Sequence, residues 1–213
     1  MEQQGPTQNR ALRQPYTDPS AWFDAVYTHA KHNPSMVPWA RQSAHPFLLD
    51  WLQQRQGDKQ RALVVGCGLG DDAEALAHQH FTVTAFDVSP NAVAWCRERF
   101  PGSPVNYEVA DLFTLPEGYQ QAFDLVFDAL TIQSLPPHLH TKAIEAIAHC
   151  VAPGGTLLII CHGREPEEEF DGPPWPLARF ELDHIQQCGL HEVQFQDRPL
   201  SSGTRTFLAE YQK

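Results

Sequence analysis

The chain has 213 residues, of which 42% are hydrophobic, so it can bury one α/β core but hardly two domains. Its formal net charge of −11 argues against a nucleic-acid partner, because such binding relies on Lys and Arg at phosphates. The sequence starts with polar residues and contains no apolar run of membrane-spanning length. These features predict a cytoplasmic protein with no membrane partner.

The cysteines and histidines give no sign of a metal site or a disulfide framework. No Cys-x-x-Cys pair occurs, and His138 and His140 are two positions apart near a helix start, so they do not face one another. We therefore expect no metal, and we expect reduced, mostly buried thiols. The cysteines are Cys67, Cys96, Cys150, Cys161 and Cys188.

The N-terminal part divides into a tail and a cover. Residues 1–17 are rich in Gln and punctuated by Pro, and we expect them to be a mobile tail ahead of a single domain over 18–213. Residues 18–56 are predicted to form a helical cover ahead of the first strand. Its first part, residues 18–42, is predicted to act as a lid that excludes water.

Two short helices are predicted in this cover. The first spans 21–30 after a Pro-Ser start, and the second spans 45–52 with Ser43 as its cap. Trp22 in the first helix and Trp39 after it flank a loop broken by prolines. Both rings can face a ligand or simply pack in the core.

The stretch Arg61-Ala-Leu-Val-Val-Gly-Cys-Gly-Leu-Gly-Asp-Asp72 joins an apolar run of strand length to a helical pattern through alternating glycines. Gly66, Gly68 and Gly70 can adopt positive φ and carry no Cβ, so the turn can press backbone N–H groups against a ligand. A strand, a glycine turn and a helix in this order predict a nucleotide site, and a purely structural turn is the alternative.

The charge of the helix start indicates which nucleotide is bound. A dinucleotide site has the pattern G-x-G-x-x-G and no negative charge at the helix start. Here the third glycine comes one residue early, and Asp71 and Asp72 would repel a pyrophosphate. The pattern favours a ligand without phosphates, such as S-adenosylmethionine, whose sulfonium suits nearby carboxylates. An NAD(P) oxidoreductase is the alternative.

A second acidic signal follows the next strand. Phe81-Thr-Val-Thr-Ala-Phe86 alternates in β-rich residues and ends at Asp87, the place for a carboxylate that accepts both hydroxyls of a ribose. The alternative is a helix cap, since Ser89 and a proline follow.

The remaining pattern alternates strands and helices through short connections, which predicts an α/β, doubly wound, mostly parallel seven-stranded sheet with helices on both faces and an antiparallel last strand. Helices are predicted at about 71–79, 90–99, 138–150 and 177–188, and strands at 61–65, 81–86, 105–109, 123–128, 156–161, 191–196 and 204–211.

Three loops of this pattern carry further hypotheses. Asp111 and Leu112 can bind an adenine by hydrogen bonding and packing, or Asp111 can simply begin a turn. Residues 151–155 are predicted to be a helix stop and turn. The loop 165–171 carries five carboxylates that we expect to be solvated, and the stiff Gly172-Pro-Pro-Trp175 segment can hold an aromatic ring near the strand edges.

Over residues 20–213 the chain resembles the class I S-adenosylmethionine-dependent methyltransferases, and more closely their thiopurine and thiol/halide group. The segments that carry the resemblance are Val65-Gly-Cys-Gly68, Phe86-Asp-Val-Ser89, Ala110-Asp-Leu-Phe-Thr-Leu-Pro116, Gly172-Pro-Pro-Trp175, and the aromatic positions Trp22 and Trp39. The chain departs from that group in two places. Ala40 follows Pro38-Trp39 where Asp is frequent, and Ala129-Leu130 stands where some members carry a basic residue.

The resemblance implies S-adenosyl-L-methionine as the methyl donor, S-adenosyl-L-homocysteine as the product, and a small-molecule methyl acceptor. The implied cofactor-binding residues are Trp22, Trp39, Gly66, Cys67, Gly68, Gly70, Asp87, Val88, Asp111, Leu112 and Asp128. The implied substrate-binding residues are Trp39, Pro174 and Trp175. We expect a monomer or a homodimer.

The resemblance also implies in-line methyl transfer to a thiol, halide or similar nucleophile, which needs no general base. An amine or hydroxyl acceptor would need one, and the candidates are Asp128, His162 and Glu165. Small-molecule N- or O-methyl transfer and a nucleotide-fold binding protein without turnover remain alternatives.

Overall fold

A computed structural model describes residues 21–213, so the expected tail over 1–17 and the residues directly before the first helix lie outside the described part of the chain. The helices are α1 Ala21–Ala30, α2 Pro46–Leu52, α3 Asp71–His78, α4 Pro90–Arg99, α5 His140–Cys150, α6 Arg179–Leu182 and α7 His184–Gln187. The strands are β1 Arg61–Val65, β2 Thr82–Asp87, β3 Asn106–Val109, β4 Phe123–Ala129, β5 Val151–Arg164, β6 Leu177–Ala178, β7 His191–Pro199 and β8 Arg205–Gln212.

The strands form one sheet in the order β3-β2-β1-β4-β5-β8-β7, with the two-residue β6 paired to β5 at the side. The pairs among β1 to β5 are parallel, and β8 runs antiparallel to both of its neighbours. The predicted doubly wound sheet with an antiparallel last strand is thereby confirmed.

Apolar residues on both faces of the sheet explain why its central strands are buried. One face packs Val126 and Leu157 against α5, and the other packs Phe127 and Leu158 against α3 and α4. All four of these side chains are fully buried. Central strands of a doubly wound sheet need apolar side chains in both directions, which is why their sequences read as continuous apolar runs.

The strand register brings the predicted ligand residues to one edge of the sheet. Val65 at the end of β1 pairs with Phe86 of β2 and with Asp128 of β4. The glycine turn after Val65 and the carboxylate of Asp87 therefore meet at the carboxyl ends of the strands, where open α/β sheets bind their ligands.

The stretch expected as a helix stop and turn at 151–155 is instead the start of β5. Val151 pairs with Phe123, and Thr156 then pairs with Leu125, so the residues between them form a bulge. Gly154 within that bulge has φ of 77° and donates its N–H to the last carbonyl of the chain, at Lys213. The glycines at 154 and 155 do mark a local irregularity of the backbone, but it is a bulge within a strand and not a turn between elements.

The predicted helix over 177–188 is also wrong in its continuity. Leu177 and Ala178 are extended because they pair with Gly163 and Arg164 of β5. Two single-turn helices follow and meet at Asp183. Tertiary pairing of the first two residues has overridden the local helical pattern.

Two features of the N-terminal part complete the fold. α2 begins at Pro46 and its cap is His45, whose Nδ1 accepts the Phe47 N–H at 3.2 Å; the expected cap at Ser43 is wrong. α1 packs on α4 through a small apolar cluster that includes Tyr27 and Trp95. Among the helices over 21–213, none combines the length and the apolar composition needed to span a bilayer, and the acidic, His and Cys side chains of this part form no group that could hold a metal ion.

Candidate active site

The glycine turn opens one stretch of backbone towards a pocket. A Cβ added at Gly66 would lie 2.5 Å from the Thr131 hydroxyl, so tight packing requires a glycine there. At Gly68, where φ is 56°, an added Cβ would meet only the Tyr27 hydroxyl at 3.4 Å and the Trp39 ring at 4.0 Å. Both of these side chains line the same pocket, so Gly68 leaves its backbone accessible to a ligand between the turn and the cover.

The carboxylate of Asp87 ties the two strand ends together. One oxygen accepts the Gly68 N–H and the other accepts the Ser89 N–H, each at 3.0 Å. Burial raises the pKa of Asp87 to about 6, although these N–H groups favour the charged form. Each carboxylate oxygen keeps a further lone pair, so both can still accept a hydroxyl from the pocket side.

The carboxylate of Asp111 is engaged in the same way. Its Oδ1 accepts the Phe113 N–H at 2.9 Å and thereby caps the short 3₁₀ helix Leu112–Thr114. Among the described residues its Oδ2 has no hydrogen-bond partner. The turn-starting role and the proposed adenine contact are therefore compatible.

The two carboxylates at the start of α3 are compensated differently. Asp71 forms a two-point ion pair with Arg99, both N···O distances being 2.9 Å. Asp72 accepts the His45 N–H at 2.6 Å, and burial raises its pKa to about 6. The repulsion of a pyrophosphate that the sequence suggested is therefore weaker than expected at Asp71.

The cover contributes Tyr27 and Trp39 to the wall of the pocket. The Trp39 Nε1–H donates to the Tyr27 hydroxyl at 2.7 Å, which fixes both rings over Gly68. Asp24 on α1 accepts the Ser89 hydroxyl at 2.6 Å and the side-chain amide of Asn91 at 3.0 Å. These contacts join the cover to the start of α4, directly beside Asp87.

The pocket gathers most of the residues predicted to bind the cofactor. Those that line it are Trp39, Gly66, Cys67, Gly68, Asp87, Val88, Asp111 and Leu112. Residues that the sequence did not single out as ligand contacts line it as well: Phe23, Tyr27, Ala40, Arg41, Ser43, His45, Leu69, Asp71, Asp72, Phe86, Ala110, Phe113, Ala129, Leu130, Thr131, Ser134 and Leu135.

Three predicted cofactor residues do not line this pocket. Trp22 packs against Trp39, with ring centroids 5.4 Å apart and the ring planes tilted by 51°. Gly70 faces Tyr107, whose hydroxyl would lie 2.6 Å from an added Cβ. Asp128 is fully buried beneath the strand ends, and burial raises its pKa to about 7.

Of the implied substrate-binding residues only Trp39 lines the pocket, and the predicted base candidates lie outside its lining. His162 contacts Gln133, with Nδ1 and Nε2 3.2 Å apart, and Glu165 pairs with Arg205 at the surface at 2.7 Å. Trp175 donates its backbone N–H to the Gln133 carbonyl at 2.6 Å, and the neighbouring Pro174 likewise does not reach the pocket. The sequence signal at 172–175 marks a fixed turn beside the pocket.

Comparison with known proteins decides the family. The family model described as thiopurine S-methyltransferase matches residues 27–199, which is most of the chain. The chain belongs to the thiopurine S-methyltransferase family. It is an S-adenosylmethionine-dependent methyltransferase, and the oxidoreductase alternative is not favoured.

Individual relatives agree with this membership. Thiocyanate methyltransferase 1 of Brassica oleracea is 27% identical over 177 residues, covering 80% of this chain and 76% of the relative. Probable thiol methyltransferase 2 of Arabidopsis thaliana is 25% identical, covering 79% and 75%. Thiopurine S-methyltransferase of Vibrio atlanticus is 21% identical, covering 75% and 79%.

Solved structures share the fold. The 1,6-didemethyltoxoflavin-N1-methyltransferase of Burkholderia thailandensis, solved with S-adenosylhomocysteine, superposes with a TM-score of 0.71 at 18% identity and covers 100% of this chain and 92% of that one. The N-methyltransferase NodS of Bradyrhizobium japonicum has a TM-score of 0.67 at 21% identity, covering 90% and 97%.

The pocket fits the donor of this family. Gly68 leaves space where a Cβ would stand, the two oxygens of Asp87 can each accept a further hydrogen bond, and the rings of Tyr27 and Trp39 cover the turn. Pocket-lining residues of the cover, among them Tyr27 and His45, were not predicted, because helix and cap patterns in a sequence do not show which face meets the sheet edge.

Proposed function

We propose that this methyltransferase acts on a small, soft nucleophile, a thiol, a thiocyanate-like anion or a halide, at the pocket above β1 and β4. When bound, the donor supplies a methyl group made electrophilic by its sulfonium. The names of the relatives, which specify thiocyanate, thiol and thiopurine sulfur, support this acceptor class.

The observation that carries the proposal is that each of the four carboxylates lining the pocket already has a hydrogen-bond or ion-pair partner. Asp71 is paired with Arg99, and Asp87 and Asp111 hold backbone N–H groups. Asp72 is held by the His45 N–H. An acceptor that reacts as an anion needs no proton removed by the enzyme, so such a site needs only to bind, align and exclude water.

The residues of the proposed site have separate tasks. Gly68 and Asp87 hold the ribose side of the donor, and Asp111 with Leu112 holds the adenine side. Tyr27 and Trp39 exclude water from above, as in-line transfer requires. Trp22 supports Trp39 by packing against it. Asp128 lies buried beneath the strand ends and is not assigned a direct contact with the donor.

Several broader properties belong to the same proposal. We infer one catalytic domain over 18–213 with residues 18–56 as its cover, and a monomer or homodimer. The negative net charge supports a small-molecule acceptor over nucleic acid. The cytoplasmic location expected from the sequence stays a prediction.

A transfer assay with methyl-labelled S-adenosylmethionine tests the acceptor class. The panel contains a thiol, thiocyanate, iodide and a thiopurine, together with an amine and a phenol of similar size. We expect label on sulfur or halide acceptors. Label on the amine or phenol alone would overturn the proposal.

A further inference from the structure

One wall of the pocket carries a polar group that the assigned roles leave unused. His45 lines the pocket and is only 1% exposed. Its Nε2 has no hydrogen-bond partner within residues 21–213. A buried polar nitrogen without a partner is costly, and a ligand that supplies one relieves that cost.

The hydrogen bonds of His45 fix which ring nitrogen carries the proton. Nδ1 accepts the Phe47 N–H, so it must be the unprotonated nitrogen, and the neutral ring then carries its hydrogen on Nε2. The backbone is held on both sides, because the His45 N–H donates to Asp72 and its carbonyl accepts the Leu49 N–H at 3.0 Å. Nε2–H is therefore a fixed donor.

Arg41 places a positive charge near this donor, and the Asp72 carboxylate that interacts with Arg41 holds the His45 backbone N–H. Arg41 also lines the pocket and makes no ion pair or side-chain hydrogen bond with any described residue. Burial, then Arg41 and His162, lower the pKa of His45 to about 3, so the ring stays neutral at physiological pH. A neutral ring with Nδ1 occupied cannot take a proton from an acceptor, but it can donate to one.

We propose that the His45 Nε2–H and the Arg41 guanidinium form an anion-binding part of the pocket. This inference rests on the proposed function. The anionic group has two possible sources: the nucleophile of the acceptor, or the carboxylate in the methionine tail of the donor. Both present lone pairs to an N–H donor beside a positive charge.

Two substitutions separate the ligand contact from the helix cap. In His45→Asn, the side-chain oxygen can replace Nδ1 as the cap of α2, but the pocket donor is lost. In His45→Gln, the longer amide can restore a donor near Nε2, but the cap is lost. A purely structural His45 predicts that Gln is the worse variant in every measurement.

The readouts are the acceptor KM and the dissociation constants of S-adenosylhomocysteine and 5′-methylthioadenosine, which lacks the amino-acid tail. If the acceptor binds here, His45→Asn raises its KM about 10-fold and leaves both dissociation constants unchanged. If the donor carboxylate binds here, His45→Asn weakens S-adenosylhomocysteine about 10-fold and spares methylthioadenosine. In either case His45→Gln retains more of the binding, despite a lower melting temperature.

The inference is overturned if His45→Asn changes none of these constants by more than twofold, or if binding simply follows thermal stability across both variants. Arg41→Gln, at an exposed position, provides a second variant that does not threaten folding, and it must weaken the same ligand as His45→Asn. The titrations with S-adenosylhomocysteine and 5′-methylthioadenosine need no turnover. They therefore test binding of the donor carboxylate even if the wild-type enzyme methylates no compound of the panel.

Discussion

Asp87 accepts the backbone N–H of Gly68 at 3.0 Å, so the end of β2 is bonded directly to the glycine turn after β1. This bond joins the two strongest ligand signals in the sequence. It also means that the carboxylate shapes the turn as well as facing the pocket. For substitutions at either residue, ligand affinity and the free energy of unfolding must therefore be measured separately.

We expect Asp87→Ala to weaken S-adenosylhomocysteine binding by about 1.5–3 kcal/mol, the range for losing hydrogen bonds to a charged acceptor. Because burial raises the pKa of Asp87 to about 6, wild-type affinity falls as the pH drops through 6, where the carboxylate is protonated. Asp87→Asn cannot titrate and lacks this dependence. Calorimetry between pH 5 and 8 checks both effects, and unchanged affinity of a folded Asp87→Ala protein would refute the ribose assignment.

We expect Gly68→Val to abolish donor binding, since its side chain would project into the pocket. The matched control is Gly102→Val, because Gly102 also has positive φ, 80°, but nothing lies within 4 Å of an added Cβ. Both variants lose stability through backbone strain. If the two variants bind S-adenosylhomocysteine equally well, the turn has only a structural role.

The cover is expected to be more protected when the donor site is filled. Asp24 holds α1 to Ser89 and Asn91, and these hydrogen bonds lower its pKa although burial opposes them. Asp24→Ala should raise hydrogen exchange over residues 21–42 and weaken donor binding, while His29→Ala, at an exposed site on the same helix, should do neither. Equal protection of this segment with and without S-adenosylhomocysteine would mean that the cover is a fixed part of the core.

The buried carboxyl group of Asp128 should make the free energy of unfolding depend on pH. Burial raises its folded pKa to about 7 from 3.8, so its contribution to the free energy of unfolding is fully present below pH 4 and is lost as the pH rises through 7. We therefore expect Asp128→Asn to be more stable than wild type by about 1–3 kcal/mol at pH 8 and equal to it near pH 4. Denaturant unfolding at both pH values checks this. A variant that is destabilised at pH 8 would show that the charged carboxylate is held by stronger hydrogen bonds than its surroundings indicate.

The sequence predicted the sheet well because its signals are local. The apolar run of β1, the glycine turn and the β-rich alternation of β2 each fix a strand end, and the parallel topology then places Gly68 beside Asp87. The bulge at 152–155 and the broken helix after 177 were not predictable in this way. Both depend on pairing with distant strands, at Phe123 and at Gly163.

The side of the site formed by the cover was less predictable. His45 reads as an ordinary residue at a helix start, and only the structure shows that its cap uses Nδ1 and leaves Nε2 buried without a partner. For the Gly-Pro-Pro-Trp segment the sequence predicts a ligand contact that the structure does not show. Its composition suggested a ligand contact, yet Trp175 is held beside Gln133 and away from the pocket.

The proposed reaction is direct methyl transfer to a nucleophile that the enzyme does not deprotonate. Single-turnover transfer from methyl-labelled S-adenosylmethionine to a series of thiols of different acidity, followed between pH 5 and 9, tests it most directly. We predict that the midpoint of each rate profile follows the pKa of the thiol used. A midpoint fixed near 6 or 7 for every thiol would contradict the account, since it would place the proton on a carboxylate of the enzyme such as Asp72 or Asp128.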